Sequence, residues 1–459
     1  MPSSLYDSAF ESVRSMWIRS VMFVTQPVFQ RLLPDPYTEA GNVRVDKKPA
    51  HVSRVTMTEI VSPAQCNMMG YAYAGTILSW IDIAAGIAAK RHAVSPSVTR
   101  SVDDVAFLHP VKVGDIVTIQ ASVNKSWKTS MEVGVKVEAE SPLSHERFFV
   151  AHCYLSFVAL SPRPEAKTHL GRILSGFQTI AVPELLPTSP MEIKRFEMAE
   201  TRRQARFKQK KPDHSQIREL MREWSQGLRE KADADAPIKR HPGYFASSEQ
   251  SSPVSEGISD VEEENIILRA RKRGRRFSQD PRMLQQIKER PMDYTFAEVV
   301  ELVMPQHANT LKITFGGQIM AWMEICAIAS ANRLAKAYLL TASLNFIASS
   351  GVGDVVTVRS LVSRSFHSSM EVYVSVEAEN VLTGETKFTN DGFFTVTAVD
   401  GENVPVIIPK VIPQTEIGMD LYEGALERRQ KRLNQREELV NLVNASQNCV
   451  PVIHLDADE

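Results

Sequence analysis

The sequence predicts an α+β protein made of two tandem domains, each an antiparallel sheet wrapped around one long central helix. Three observations carry that expectation: a duplicated apolar segment, runs of alternating apolar and polar residues after each copy, and a length of 459 residues. That length exceeds what one compact core takes up and suits two.

The duplication comes first, because a missed repeat misassigns a whole fold. Gly75 to His92 reads G-T-I-L-S-W-I-D-I-A-A-G-I-A-A-K-R-H, and Gly317 to Leu334 reads G-Q-I-M-A-W-M-E-I-C-A-I-A-S-A-N-R-L. Trp80 recurs as Trp322, Asp82 as Glu324 and Arg91 as Arg333, each 242 positions later. Val113-Gly114-Asp115 then recurs as Val352-Gly353-Asp354, and Ser130 to Val133 as Ser369 to Val372, now 239 positions later. The second copy has therefore lost three residues in the loop between helix and strands. Arg202 to Phe207 resembles Arg428 to Leu433, so each copy ends in a basic helix.

Each helix is apolar almost all round, with Ile77, Leu78, Trp80, Ile81, Ile83 and Ile87 in the first copy. A helix without a polar face must be wrapped by other structure. Period-two patterning over Asp115 to Trp127, Ser130 to Ser141 and Arg147 to Leu160 supplies the wrapping strands. Asp354 to Phe366, Met370 to Glu379 and Thr386 to Val399 do the same in the second copy. A sheet curled around one helix is the hotdog arrangement, and small residues such as Ala84, Ala85, Gly86 and Ala88 let the sheet approach closely.

The resulting division is an N-terminal extension (1–49), a first hotdog with its basic helix (50–207), a charged linker (208–289), a second hotdog with its basic helix (290–435) and a C-terminal tail (436–459). The linker is rich in Ser and Glu over Ser247 to Asn265 and strongly basic over Arg269 to Arg276. It reads as largely disordered, with some helix near Ser215 to Lys231. The basic run reads as solvated linker in preference to a nucleic-acid patch, and Ser278 behind two arginines is a weak phosphorylation signal.

Composition narrows the function. A formal net charge of −1, from 53 basic and 54 acidic residues, excludes global electrostatic attraction to nucleic acid or membrane. The four cysteines (Cys66, Cys153, Cys326 and Cys449) are far apart, which fits a reducing compartment and argues against metal chemistry through thiolates. No apolar run is long enough for a membrane-spanning helix. Arg14, Arg19 and Arg31 lie among apolar residues as in a mitochondrial presequence, but Asp7 and Glu11 break that pattern, so the expected address is cytoplasmic, with mitochondrial as the alternative.

Chemistry is expected where carboxylates sit inside apolar helices, since a buried acid must pair or take up a proton. Asp82 lies between Ile81 and Ile83, and Glu324 between Met323 and Ile325. One such acid reads as a packing or capping group, whereas two at one structural address point to function. Asn67 and Asn309 stand fifteen residues before the acids, on the loop entering each helix. Asparagine is often only a turn residue. Next to an acid, its amide can orient water or bind a thioester oxygen while the carboxylate takes a proton. Ala74-Gly75 and Gly316-Gly317 open the helices, where backbone amides could polarise a carbonyl.

H-A-N-T-L-K-I-T-F-G-G-Q-I-M-A-W-M-E, with W-I-D-x-A-A-x-x-A-x-R-H, V-T-R-S-V-D-D and S-M-E-V, resembles the two-hotdog acyl-CoA thioesterases, the cytosolic acyl-CoA and acetyl-CoA hydrolases. The resemblance covers about residues 50–207 and 290–435. It implies attack of water on the thioester of an acyl-CoA substrate with no cofactor or metal, at sites pairing an asparagine of one hotdog with an acid of the other. Those pairs are Asn309 with Asp82 and Asn67 with Glu324. Coenzyme A is then expected along Arg100, Ser101, Val102, Thr129, Ser130 and Met131, and along Ala342, Ser343 and Leu344 in the second copy. Arg203, with Arg202 and Arg206, would neutralise its phosphates. The resemblance also implies helices that face one another within one chain, and a homo-oligomer, a trimer of such chains. Two departures stand out: Lys312 replaces the glycine that Gly70 supplies in the first loop, and Glu324 is one methylene longer than Asp82. The rival reading is a non-catalytic acyl-CoA-binding or scaffold protein. A hotdog dehydratase would need a histidine opposite the acid, and His92 and His307 do not occupy equivalent positions.

Overall fold

The structure is a computed structural model that describes residues 47–162, 177–208, 213–234, 289–309, 311, 313–346, 354–381 and 383–447. The first repeat starts with β1 (Val55–Ile60) and the central helix α1 (Ala74–Ala93). Strands β2 (Ser97–Phe107), β3 (Ile116–Ser126), β4 (Ser130–Ser141) and β5 (Glu146–Pro162) follow, then the basic helix α2 (Pro190–Lys208). After α3 (Ser215–Ala234), the second repeat runs β6 (Ala297–Leu302), α4 (Gly316–Ala335), β7 (Tyr338–Phe346), β8 (Asp354–Phe366), β9 (Ser369–Asn380), β10 (Thr386–Val399) and α5 (Glu416–Gln447). The chain is thus a tandem hotdog α+β protein; β3, β4, β5, β8, β9 and β10 fall on the alternating runs, whereas β1, β2, β6 and β7 lie outside them.

Both sheets join into one, in the order β1-β3-β4-β5-β2-β7-β10-β9-β8-β6. The seam is antiparallel pairing of β2 with β7, with Ala106 opposite Ser343 and Val105 opposite Leu344. Reading the order from either end gives the same succession of repeat strands, so the seam relates two equivalent halves.

The central helices carry the core. Ile77, Leu78, Ile81, Ala84, Ala85, Ala88 and Ala89 of α1 are buried, as are Ile319, Met320, Met323, Cys326, Ala327 and Ala331 of α4. Ile83 and Ile87, counted above among the wrapped residues, are instead part-exposed at 37% and 36%, because that side of α1 faces a cavity. The two helices cross at their N-termini. A methyl group on Gly75 would lie 2.7 Å from Ala321 Cα, and one on Gly317 2.5 Å from Ser79 Cα. Only glycine allows an approach this close, so these residues admit the facing helix.

Two boundary expectations change, one in the linker and one in the C-terminal tail. Helix α3 packs on the second hotdog, burying Ile217 and Met221. Arg222 bonds Glu377 on β9, and the Ser225 hydroxyl donates to Glu298 on β6 at 2.8 Å. Its apolar residues recur at helical spacing, which gives this charged segment one face to bury. The last helix also runs past residue 435 to Gln447. The expected extension through residue 46, the Ser- and Glu-rich stretch, the Arg269–Arg276 run, Ser278, Lys312 and Cys449 lie outside the described residues. Among those described, no helix is long and apolar enough to cross a membrane.

Candidate functional site

Each buried acid reaches across to the N-terminus of the opposite central helix. Asp82 Oδ2 accepts the Gly317 amide at 3.0 Å, and Oδ1 accepts the Thr99 hydroxyl at 2.5 Å. Glu324, one methylene longer, takes two amides, Ala74 at 3.1 Å on Oε1 and Gly75 at 2.5 Å on Oε2. A helix N-terminus carries unpaired amides and positive potential, which makes it a natural seat for a carboxylate. The amides of Gly75 and Gly317, expected to polarise a substrate carbonyl, therefore hold the acids.

Burial pushes the Asp82 carboxyl above the usual carboxylate range, while the Thr99 hydroxyl, the Gly317 amide, Lys90 and the Gly316 amide pull it back. Glu324 is likewise pushed up by burial, opposed by Thr341 and the Gly75 and Ala74 amides. Thr99 and Thr341 are the functional residues that sequence reasoning missed. They occupy equivalent repeat positions within V-T-R-S and L-T-A-S, and that shared offset was the available signal. The two differ in geometry, because the buried Thr341 hydroxyl makes no well-formed hydrogen bond.

Both asparagines brace their own loops. Asn67 Oδ1 accepts the Met69 and Tyr71 amides at 3.0 and 3.1 Å, and Asn309 Oδ1 accepts those of Leu311 and Ile313 at 2.9 and 3.2 Å. With the oxygen occupied, the side-chain NH2 is the end left to act outward. Asn67 donates it to the Leu339 carbonyl on β7 at 3.4 Å. Gly70 at φ +76 makes the first loop's tight turn, a conformation that favours glycine.

A cavity of about 180 Å³ opens beside α1. Asp82 and Thr99 of the first hotdog line it together with Asn309 and Gly316 of the second. Its other walls are mainly apolar and include Ile83, Ile87, Phe157 and Phe315. The structure thus brings Asn309 and Asp82 to one cavity, while the Asn67 loop approaches the strand that carries Thr341, the neighbour of Glu324.

The residues nominated for coenzyme A divide. Arg100 is exposed and Ser101, Thr129 and Ser130 are half-buried, whereas the Val102 and Met131 side chains are in the core, which leaves only their backbone for a ligand. Ala342, Ser343 and Leu344 lie on β7, next to the seam. Arg202 and Arg206 pair with Glu132, which is fully buried, and Arg206 also binds Asp103 at 2.8 Å. Arg428 repeats this arrangement with Glu371 at 2.7 Å. The glutamate of S-M-E-V thus recurs because each basic helix docks on it. Arg203 stacks on Trp127 at 4.2 Å and keeps Nη1 without a hydrogen-bond partner. Among the described residues, no group of acidic, histidine or cysteine side chains could hold a metal ion.

Comparison with known proteins agrees with this fold. The thioesterase superfamily model matches residues 69–144 and 311–385, once in each repeat. The chain is 29% identical over 389 residues to an acetyl-coenzyme A thioesterase of Mus musculus, an alignment covering 83% of this chain and 58% of that one. It therefore spans less than two thirds of the length of that relative. It is 34% identical over 146 residues to an uncharacterized acyl-CoA thioester hydrolase, YkhA, of Bacillus subtilis, covering 31% of this chain and 85% of that protein. Among solved structures, an acyl-CoA hydrolase from Bacillus cereus is 31% identical, with 40% of this chain and 98% of that one covered and a TM-score of 0.30. With one superfamily match in each hotdog and this degree of identity to relatives, the chain belongs to the two-hotdog acyl-CoA thioesterases of the thioesterase superfamily.

Proposed function

We propose that the protein hydrolyses acyl-CoA thioesters to a free carboxylic acid and coenzyme A, with Asp82 as general base and Asn309 as the group that polarises the thioester. The observation that carries this reading is that these two residues, from different hotdogs, line one cavity. Water in that cavity gives a proton to Asp82 as its oxygen bonds to the acyl carbon. The Asn309 NH2 donates to the carbonyl oxygen as negative charge develops there. The carbon–sulfur bond then breaks, and the proton on Asp82 passes to the leaving thiolate.

A carboxylate raised by burial suits this work, because a general base is most effective when its pKa lies near the working pH. Thr99 and the Gly317 amide keep the ionised form attainable and fix its orientation. Arg203, whose Nη1 is buried beside Trp127 without a hydrogen-bond partner, is the α2 arginine assigned to a coenzyme A phosphate. Asn67 and Glu324 make up the corresponding second pair. Assembly into a trimer of chains and a cytoplasmic address belong to the same proposal.

The test is steady release of free thiol from acyl-CoA by purified protein, wild type beside Asp82→Asn. Loss of about 100- to 10,000-fold in kcat is expected for removal of a general base. Tight acyl-CoA binding without turnover in the wild type would favour the non-catalytic reading.

A further inference from the structure

Gly86 lies in the middle of α1, one turn after Asp82, and its presence there needs a reason. Glycine in a helix interior is less stable than alanine, because it gives up more backbone freedom on folding. Close packing explains Gly75 and Gly317, where an added methyl would collide with the backbone of the facing helix. It does not explain Gly86. A methyl there would meet only Phe157 Cε1, at 3.8 Å, which is ordinary contact. Gly86 is also not among the glycines with positive φ. What the missing side chain leaves open is the cavity that Gly86 lines with Asp82, Ile83, Ile87 and Phe157.

The second repeat answers the same position differently. Its counterpart, one turn after Glu324, is Ile328, which packs against the core. Here α4 presents a branched side chain where α1 presents none.

We infer that Gly86 is the specificity-determining residue for the acyl group: it opens the channel along α1 that takes the hydrocarbon chain while the thioester lies between Asp82 and Asn309. Ile328 closes the equivalent path at Glu324, so only the Asp82 site accepts a long acyl chain. The inference rests on the reading of the protein as a thioester hydrolase working at Asp82. The walls fit a hydrocarbon in that Ile83, Ile87, Val98, Phe157, Ile313 and Phe315 give the cavity more apolar than polar lining, with Lys90 one turn past Gly86. A side chain branched at Cβ at position 86 would place its methyl groups in the cavity, and the chain would lose the space it needs.

The experiment measures kcat/KM against acyl length, from acetyl-CoA to palmitoyl-CoA, for wild type, Gly86→Ala, Gly86→Val and Ile328→Gly, with Tm recorded for each. Gly86→Val is expected to lower kcat/KM for palmitoyl-CoA at least tenfold while changing the shortest substrate less than threefold. Gly86→Ala should fall between, and it carries the test should the valine variant fail to fold. Ile328→Gly in an Asp82→Asn background should raise binding of long chains. Binding of non-hydrolysable acyl-CoA thioethers of the same lengths gives a second readout that does not need turnover. Equal losses at every length, an unchanged profile, or a wild type that takes only acetyl-CoA would overturn the inference and leave the hydrolase reading standing. A wild type that binds thioethers with the expected length dependence but releases no thiol would overturn the hydrolase reading and keep the channel.

Discussion

The two repeats place an acid at the same address and surround it differently. Asp82 accepts the Gly317 amide and one hydroxyl, with the Gly316 amide also favouring its ionised form, in a cavity that it shares with Asn309. Glu324 uses its extra methylene to take two amides at the start of α1, beside a threonine with no well-formed bond and a helix that carries Ile328 in place of Gly86. Lys90, which helps ionise Asp82, is Asn332 in the second copy. Both repeats use the carboxylate as a cap for the facing helix, whereas the cavity, the bonded threonine and the nearby lysine that the proposed base relies on are found at Asp82.

The comparison breaks most directly on activity. Asp82→Asn should cost the general-base contribution, about 100- to 10,000-fold in kcat. Glu324→Gln should cost less than tenfold and act mainly through stability, since it removes a charged acceptor from two amides. Equal losses in thiol release would show two equivalent sites and remove the distinction.

The next largest effect is structural. Gly317→Ala forces a methyl to 2.5 Å from Ser79 Cα and 3.2 Å from Asp82 Cβ, so α1 and α4 must separate at the point where Asp82 is held. Overpacking of this kind costs about 1–3 kcal/mol. A lower Tm together with reduced turnover is expected. Gly75→Ala, at 2.7 Å from Ala321 Cα, should lower Tm similarly with a smaller effect on turnover, because it disturbs the Glu324 end.

A finer test uses pH. In the proposed mechanism Asp82 must be ionised, and burial holds its pKa above the usual carboxylate range, so kcat/KM should rise with pH through a limb that lies above that range. Thr99→Val removes a hydrogen bond that favours the ionised form, and the limb should move to higher pH. Thr341→Val should leave the limb where it is. The linkage to folding has the same origin. An acid whose pKa is raised in the folded state is neutral there while it is already ionised in the unfolded chain. Its contribution to stability therefore falls as pH climbs from the unfolded to the folded pKa.

Much of this was legible in the residues. The period-two runs marked β3, β4, β5, β8, β9 and β10 but not the seam strands β2 and β7, the apolar helices implied the wrapping, and Asp82 and Glu324 stood out as acids among isoleucines and methionines. Two glycines were legible as close approaches, but not as to what approaches: Ala321 and Ser79 come from the opposite repeat, and pattern along one chain does not report contacts 240 residues away. The arginines of α2 posed a similar problem. Their charge suggested phosphate, but the partners of Arg202 and Arg206 are Glu132 and Asp103, and the alternation of β4 gave no sign that one of its polar positions is fully buried. Thr99 carries no mark of its own, because a strand threonine is ordinary until the helix beside it is known to carry an acid.

The smallest effect concerns how both central helices stop. Val94 ends α1 at φ 55 and Lys336 ends α4 at φ 46, equivalent positions in left-handed geometry that most helices give to glycine. For an L-residue this conformation costs about 1–2 kcal/mol, and a β-branched residue is the least suited to it. Val94 is 52% exposed, so replacing it gives up little burial. Val94→Gly should therefore raise Tm, offset in part by the greater freedom of glycine in the unfolded chain. Lys336→Gly should gain less, since an unbranched side chain meets less strain at the same turn. Thermal unfolding of the two single variants and the double variant measures both, and a larger gain at Lys336 would place the strain outside the side chain, in how each helix is held by its own sheet.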